Sequence, residues 1–239
     1  MYANVQYPDN RKYFLYNAVH KNVTLLTVAK KQVHRPFMGR PVKFDKEKAL
    51  DAAMDLFWEH GFEAATISDL SDAMGITRSS FYNSFESREK LFEDVLNHYS
   101  NAAPDNFLNF IKPGDPVLPA IKKLFDDIST VRTGAPTARG CLLINCLGEL
   151  SDSTKELSLV RIKFDAKLKR FEELLEQAKQ QHELPKDFDS GTAARELLTF
   201  LVGINMTSKV IRDEETLSNL SHSFLKTHGL LAQPTSLET

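Results

Sequence analysis

The chain is poor in the residues that mark several common classes of protein. Its 239 residues include only two cysteines, ten glycines and ten prolines, which excludes a disulfide framework and a low-complexity protein. No run of about 18 uninterrupted apolar residues occurs, so we predict no membrane-spanning helix. Cys141 and Cys146 lie five positions apart without neighbouring metal ligands, which indicates a reducing, cytoplasmic compartment.

Sequence patterns that carry enzymatic chemistry are also missing. The seven histidines are scattered, and there is no phosphate-binding loop, glycine-rich nucleotide fingerprint, Ser-His-Asp set or His/Cys cluster. We therefore predict no catalytic residues, no metal site and no cofactor. An enzyme remains the rival class at this point, and turnover of a bound small molecule would favour it.

Charge is distributed unevenly along a chain whose formal net charge is −2. Residues 1–43 carry a net charge of +7, and the remainder carries −9. Such a segment is typical of a nucleic-acid-binding arm, but it also fits a segment outside the fold. Met38 directly precedes a well-formed helix start and is a candidate natural initiator. Residues 1–40 are accordingly predicted to be a disordered or non-native leader.

From residue 44 onward the apolar spacing predicts helices with defined ends. Asp45 is the predicted N-cap of a first helix, which ends at Gly61. Thr66 and Asp69 form a capping box that opens a second, short helix. The predicted apolar face of this second helix consists of Leu70, Ala73 and Met74.

A third short helix follows a tight turn at Gly75, and Thr77 is its predicted N-cap. Two short helices joined in this way form a helix-turn-helix unit. Phe81 and Phe85 share one face and are predicted to pack against the preceding helices. The opposite face is small and polar, which suits entry into a DNA major groove about 12 Å wide. That face consists of Arg78, Ser79, Tyr82 and Asn83.

The overall charge of this region argues against DNA binding. Residues 44–100 contain twelve acidic and five basic residues. No acid lies between Asp72 and Glu86, however, and helix N-termini supply N–H donors for phosphates. We expect DNA binding with a weak non-specific component and a shallow salt dependence. A helical adaptor that does not bind DNA is a second rival, which footprinting would distinguish.

Residues 47–96 contain a long ordered motif that includes Leu56-Phe57-x-x-x-Gly61-Phe62-x-x-x-Thr66 and Met74-Gly75-Ile76-Thr77-Arg78-Ser79-Ser80-Phe81-Tyr82-x-x-Phe85. This motif resembles that of the N-terminal domain of the TetR/AcrR family. The resemblance implies an all-α fold, with a three-helix helix-turn-helix domain at residues 41–96 and a sensing and dimerisation bundle at residues 97–239. It also implies a homodimeric repressor of a double-stranded DNA operator. The matching positions are, in order, Ala53, Leu56, Phe57, Gly61, Phe62, Thr66, Ile67, Leu70, Met74, Gly75, Ile76, Thr77, Arg78, Ser79, Ser80, Phe81, Tyr82, Phe85, Ser87, Arg88, Glu89 and Leu91.

The same resemblance implies which residues contact DNA. Thr66, Tyr82 and Arg88 would hold phosphates, whereas Arg78, Ser79 and Asn83 would face bases. Ser68 stands where some members carry a longer base-reading side chain. Each residue has a structural alternative, such as helix capping for the threonines. The complete predicted DNA-binding set is Thr66, Ser68, Thr77, Arg78, Ser79, Ser80, Tyr82, Asn83 and Arg88.

Beyond residue 99 the pattern predicts a bundle of further helices. A nearly all-apolar stretch at residues 140–150 is predicted to be a buried central helix. The last two long helices are expected to pair with the same helices of a second copy, and intramolecular packing is the alternative. Helices are predicted near residues 120–131, from Ser153 to near residue 182, from Asp189 to residue 211, and from Thr216 to residue 228.

The segment from Arg139 to Leu150 is similar to one in a family branch that includes thiol- and electrophile-responsive repressors. Cys141, near a helix N-terminus and beside Arg139, is predicted to favour the thiolate and to sense an oxidant or electrophile. The alternative is a cysteine that only packs. Asn145 and Glu149 share a helix face and either line a ligand pocket or are satisfied buried polar groups. The effector is predicted only as a small molecule or an electrophile.

Overall fold

The computed structural model describes residues 45–135, 139–151 and 154–231, and within those ranges all regular elements are helices. The predicted all-α fold is therefore confirmed. Residues 1–40, predicted to be a leader, lie outside the described residues. The helices are α1 (Lys46–His60), α2 (Ile67–Met74), α3 (Arg78–Phe85), α4 (Arg88–Ala102), α5 (Val117–Gly134), α6 (Leu142–Glu149), α7 (Lys155–Gln180), α8 (Ser190–Thr207) and α9 (Glu214–Thr227), with a 3-10 helix (Asn106–Phe110) between α4 and α5.

Helices α1 to α3, which we call the head, begin at the caps that the sequence predicts. The Thr66 hydroxyl accepts a hydrogen bond from the Asp69 N–H at 3.2 Å, and the Asp69 carboxylate accepts one from the Thr66 N–H at 3.2 Å. Thr77 caps α3 by accepting from the Ser80 N–H at 3.1 Å. Gly75 adopts φ +67° and ψ 30°, the left-handed conformation that turns the chain from α2 into α3.

The inner faces of α2 and α3 match the apolar pattern with one exception. Phe81 and Phe85 are buried as predicted. Ala73, predicted on the buried face of α2, is exposed. Ser71 is buried instead, and its hydroxyl is satisfied because it donates to the Ile67 carbonyl at 2.7 Å.

Helix α4 continues without interruption past residue 96, where the sequence suggested a domain boundary. The apolar core of the head also continues beyond this point, into α6 and the first turns of α7. The head and α6 therefore share one core, so a shift of α6 must displace side chains of the head. The core residues from α4, α6 and α7 are Leu91, Phe92, Val95, Leu96, Tyr99, Leu142, Leu143, Cys146, Leu157 and Val160.

A second apolar core lies between α5, α7, α8 and α9. Helix α5 begins earlier than predicted because a distant carboxylate supplies its cap: Glu183 accepts from the N–H groups of Val117 and Leu118 at 2.8 and 2.9 Å. Pro119 is compatible with this start because it lies in the first helical turn. No helix of the described residues is long and apolar enough to cross a lipid bilayer.

Two further predicted helix starts were wrong, each because the prediction chose the wrong one of several possible caps. Thr154 caps α7 by accepting from the Leu157 N–H at 3.2 Å, whereas the predicted opening residue, Ser153, lies outside the described residues. Helix α9 is capped by Asp213 and not by Thr216. The Asp213 carboxylate accepts one hydrogen bond from the Thr216 N–H at 2.7 Å and another from the Thr216 hydroxyl at 2.6 Å. Carboxylates and hydroxyls are both good N-caps, so local sequence does not choose between them.

The predicted central helix at residues 140–150 is shorter and less buried than expected. Helix α6 begins after Cys141, and only its first half is fully covered. Leu147 and Glu149, near its end, are exposed. Helix α8 is also shorter than predicted, since it ends at Thr207 rather than at residue 211.

Two glycine substitutions separate backbone strain from packing. Gly75→Ala is expected to destabilise the protein by about 1–2 kcal/mol, because the position needs a left-handed backbone although no atom lies within 4 Å of an added Cβ. Gly148→Ala is the control: it is equally unhindered but lies in α6, so it should be neutral or stabilise by up to about 1 kcal/mol. Urea unfolding at equal protein concentration measures both, and equal effects would contradict the assignment.

Candidate DNA-binding surface and cysteine site

The outward face of α3 is formed by the four residues that the sequence placed there. Arg78, Ser79 and Asn83 are exposed, and Tyr82 is 52 % exposed. The Tyr82 ring stands edge-on against Phe81, with ring centroids 5.5 Å apart. This contact orients the ring, about half of which stays exposed. The face carries one positive charge and no negative charge.

The hydroxyl residues near the helix starts already have partners. The Thr66 hydroxyl donates to the Asp69 carboxylate at 2.6 Å, so its proton is not available to a phosphate in this arrangement. The Thr77 and Ser80 hydroxyls lie 3.0 Å apart and share a hydrogen bond. Ser68 and Ser80 are half-buried. These residues set the starts of α2 and α3, and any DNA contact they make comes in addition to that.

Arg88, predicted as a phosphate ligand, has its guanidinium engaged within the protein. Its Nη1 donates to the carbonyls of Phe62, Glu63 and Ala65 at 3.3, 3.5 and 3.3 Å. The guanidinium also stacks 4.3 Å from the centre of the Phe62 ring. Arg88 thus fastens the loop between α1 and α2 to the start of α4. Sequence reasoning missed this interaction because its partners lie 23 to 26 residues away.

Several acids of the head are directed at neighbouring helices rather than at the surface of α3. Asp55 forms an ion pair with Arg139, with the Nη1 and Oδ1 atoms 2.8 Å apart. Asp51 lies 2.8 Å from the imidazole of His98 in α4, and this hydrogen bond raises the pKa of His98. These pairs therefore neutralise part of the negative charge of the head, and they lie away from the outward face of α3.

One end of α6 is attached to α1 through Arg139. The Trp58 Nε1 donates to the Arg139 carbonyl at 3.1 Å, and Asn145 donates to the same carbonyl at 2.9 Å. The Arg139 guanidinium donates to the carboxylate of Asp55, which lies in α1 like Trp58. Asn145 therefore satisfies the backbone at the start of α6 and is not among the residues that line the cavity described below.

The other end of α6 is attached to the head through Glu149. Its carboxylate accepts a hydrogen bond from the Glu63 N–H at 3.0 Å. Gly61 makes this approach possible, because a Cβ at that position would lie 2.3 Å from the Glu149 Oε1 atom. Glu149, predicted either to line a ligand pocket or to be a satisfied buried polar group, is exposed and reaches the loop after α1. We call the Arg139 and Glu149 attachments together the junction.

Cys141 precedes the first turn of α6 and is half-buried. The Tyr99 hydroxyl donates to its Sγ at 3.2 Å, and Arg132 Nη2 donates to the Tyr99 hydroxyl oxygen, also at 3.2 Å. Burial raises the pKa of Tyr99 well above its usual range, so the hydroxyl stays protonated and can donate. The cation connected to the thiol is thus Arg132, whereas the guanidinium of Arg139, the predicted neighbour, pairs with Asp55.

A small, partly open cavity lies beside Cys141. The centre of a water molecule can occupy a volume of about 20 Å³ within it, which is enough for about one water molecule. Arg132 and Asn205 form part of its wall and are joined by a 2.7 Å hydrogen bond. Lys167 and Asp105 form an ion pair in the wall. Any larger group that enters must displace these side chains.

The second cysteine, Cys146, is buried, whereas Cys141 is only half-buried. Cys146 is buried in the core that α6 shares with the head. Burial raises the pKa of its thiol to about 12, which leaves very little thiolate at neutral pH. Cys146 is therefore a packing residue and a natural internal control for the chemistry of Cys141.

Two protein-family models match most of the described chain. One, described as bacterial regulatory proteins of the tetR family, matches residues 49–95. The other, a tetracyclin repressor-like C-terminal domain, matches residues 117–224. Together they cover both the head and the C-terminal bundle.

Individual proteins are similar over nearly their whole length. The HTH-type transcriptional repressor ComR of Escherichia coli (strain K12) is 30% identical over 191 residues, which is 79% of this chain and 90% of ComR. YezE of Bacillus subtilis (strain 168), an uncharacterised HTH-type transcriptional regulator, is 27% identical over 187 residues, 76% of this chain and 95% of YezE. A further similar protein is the TetR family regulator CifR, whose cysteine mutant has been solved in complex with 26-bp operator DNA. That structure superposes with a TM-score of 0.67. Its sequence is 26% identical, and the match covers 79% of this chain and 98% of CifR.

A double-mutant cycle tests the Glu149 attachment. Gly61→Ala is expected to destabilise the protein by about 2 kcal/mol, from a backbone conformation that favours glycine and from displacement of the Glu149 carboxylate. In a Glu149→Ala background the same change should cost about 1 kcal/mol less, because no carboxylate remains to be displaced. Urea unfolding of the four proteins gives the coupling energy. Strict additivity would show that Gly61 and Glu149 do not interact.

Proposed function

The chain belongs to the TetR family of bacterial regulatory proteins, and we propose that it is a dimeric transcriptional repressor that leaves a palindromic operator when Cys141 is modified. The proposal of DNA binding rests on the surface of α3, which has no acidic residue and faces solvent. The proposal of a thiol signal rests on the position of Cys141, at the start of a helix that is attached to the head at both ends. The names of ComR, a repressor, and of CifR in complex with operator DNA support the part of this proposal that concerns DNA binding and repression.

In the proposed complex α3 enters the major groove of the operator. Arg78 lies in the first turn of α3, where a guanidinium can donate two hydrogen bonds to the O6 and N7 atoms of a guanine. Asn83 and Ser79 face neighbouring bases, and Tyr82 donates to a phosphate. We assign operator binding to residues 45–96 and sensing and dimerisation to residues 97–231.

Two copies are proposed to meet through α8 and α9. The inner face of α8 is buried in the bundle, yet its outer face is also apolar: Met206 is 47 % exposed and lies one turn after Val202. Leu220 on α9 is 43 % exposed. Gly203 has no atom within 4 Å of an added Cβ, so a helix of a second copy can approach closely there. To read a palindromic operator, a symmetric dimer of this kind must hold its two α3 helices about 34 Å apart, one turn of DNA.

The proposed signal acts by shifting a population between two dimer conformations. An adduct on the Cys141 sulfur that enters the cavity of about 20 Å³ beside it is larger than that space, so it displaces α6 or the surrounding side chains. The junction carries this movement to α1. The modified dimer then favours head positions that do not match the operator, and its operator affinity falls.

Replacement of Arg78 tests the proposed reading face. Arg78→Ala is expected to weaken operator binding by about 1–3 kcal/mol, the value of one bidentate contact to a base. Lys186→Ala removes the same charge from an exposed loop between α7 and α8 and should change operator affinity much less. Binding isotherms at a fixed salt concentration measure both variants. If Arg78→Ala binds the operator as tightly as the parent protein, the reading face is misplaced.

Footprinting of the operator with and without a thiol alkylator tests the proposed signal. Alkylation should abolish protection by the parent protein and by Cys146→Ser, because Cys141 remains in both. Cys141→Ser should protect the operator equally well before and after treatment. Loss of protection in Cys141→Ser, or retained protection in fully alkylated parent protein, would end the proposal that Cys141 carries the signal.

A further inference from the structure

Tyr99 touches both the cysteine and the head. Its hydroxyl donates to the Cys141 Sγ at 3.2 Å, and its ring stands edge-on against Trp58 of α1, with centroids 5.2 Å apart and planes at 88°. We propose that Tyr99 is a positioning residue that orients and activates the Cys141 thiol and transmits its modification to α1 through Trp58. This inference rests on the proposed function, and it names the residue through which that function would act.

The hydroxyl end of Tyr99 is arranged to stabilise a negative sulfur. A hydrogen bond donated to an anion is stronger than one donated to a neutral atom, so the bond from the Tyr99 hydroxyl strengthens as negative charge develops on the Cys141 sulfur. Arg132 donates to the oxygen of that hydroxyl, which makes its proton a better donor. Arg132 is itself fixed, because its Nε donates to Asn205 at 2.7 Å and both side chains are buried. These donors are thus in place before any reagent arrives.

The ring end of Tyr99 is arranged to register a change at the sulfur. When a thiolate attacks an alkylating agent such as iodoacetamide, a C–S bond forms, the C–I bond breaks and iodide leaves. The resulting thioether is neutral and carries a new group for which the cavity of about 20 Å³ has no room. Tyr99 is fully buried, so its ring cannot give way without moving against Trp58. Trp58 also holds the Arg139 carbonyl, which places it inside the junction.

A different route is available to the same signal. Helix α6 could shift as a rigid unit and pull the head through Glu149, with Tyr99 acting only as a packing residue. The two routes differ in a protein that lacks the Tyr99 ring, because a shift of α6 would still reach Trp58 through the Arg139 carbonyl, whereas coupling through Tyr99 would not. Trp58 is the single tryptophan of the chain. Its fluorescence therefore reports on the contact with Tyr99 without a background from other tryptophans.

The experiment uses the full-length protein in a Cys146→Ser background, so that Cys141 is its only thiol. Iodoacetamide is added, Cys141 alkylation is followed by intact mass, and Trp58 emission and operator affinity are followed in parallel. We expect the emission to change in step with alkylation. Tyr99→Phe keeps the ring but lacks the hydroxyl, and its Cys141 should be alkylated about three- to tenfold more slowly. Tyr99→Leu lacks the ring, and its alkylation should leave Trp58 emission unchanged and operator affinity less affected.

Each outcome decides between the inference and the function on which it rests. If Cys141 is alkylated and the operator is released while Trp58 emission stays constant, thiol sensing stands and coupling through Tyr99 is overturned. Coupling is also overturned if alkylated Tyr99→Leu releases the operator as fully as the parent. Equal alkylation rates in the parent and Tyr99→Phe refute activation by the hydroxyl. If the alkylated parent still binds its operator with unchanged affinity, the proposed function itself fails.

Discussion

The attachment of α6 to the head is the constraint on which the rest of the molecule depends. Arg139 holds α1 at one end of α6, Glu149 holds the loop after α1 at the other, and apolar side chains fill the space between them. Protein interiors are close-packed and respond to displacement as units, so α6 cannot move while the head stays fixed. Cys141 lies directly before α6, where a small displacement would reach the head, including the proposed DNA-binding face of α3.

Ion pairs between the head and neighbouring segments explain how an acidic head can present an acid-free face on α3. Asp55 adds to the negative charge of the head, yet its carboxylate is held by Arg139 in the junction. Asp51 is likewise held by His98 of α4. DNA would meet the local charge of α3, which is positive at Arg78, rather than the sum over the module. Net charge is a property of composition, whereas the field at a surface depends on which side of the fold each charge lies.

The accuracy of the sequence predictions follows the distance over which each signal acts. The caps Thr66 and Thr77 were correctly identified because a capping side chain bonds an N–H only two or three positions away. The buried and exposed faces of α3 were also correct, because residues four apart lie on one side of a helix. The starts of α5 and α7 were missed for different reasons. A distant glutamate caps the first, and the second offered several suitable hydroxyls in succession.

The sequence by itself determined the family, the all-α fold and the four outward residues of α3, because these follow from local periodicity, capping and an ordered motif. Only the tertiary structure decided what Arg88, Arg139, Glu149 and Tyr99 do. Their partners lie between 23 and 86 residues away along the chain, at separations where no spacing rule applies. Long side chains such as these can turn to any neighbour within reach, and which neighbour that is depends on how the helices pack.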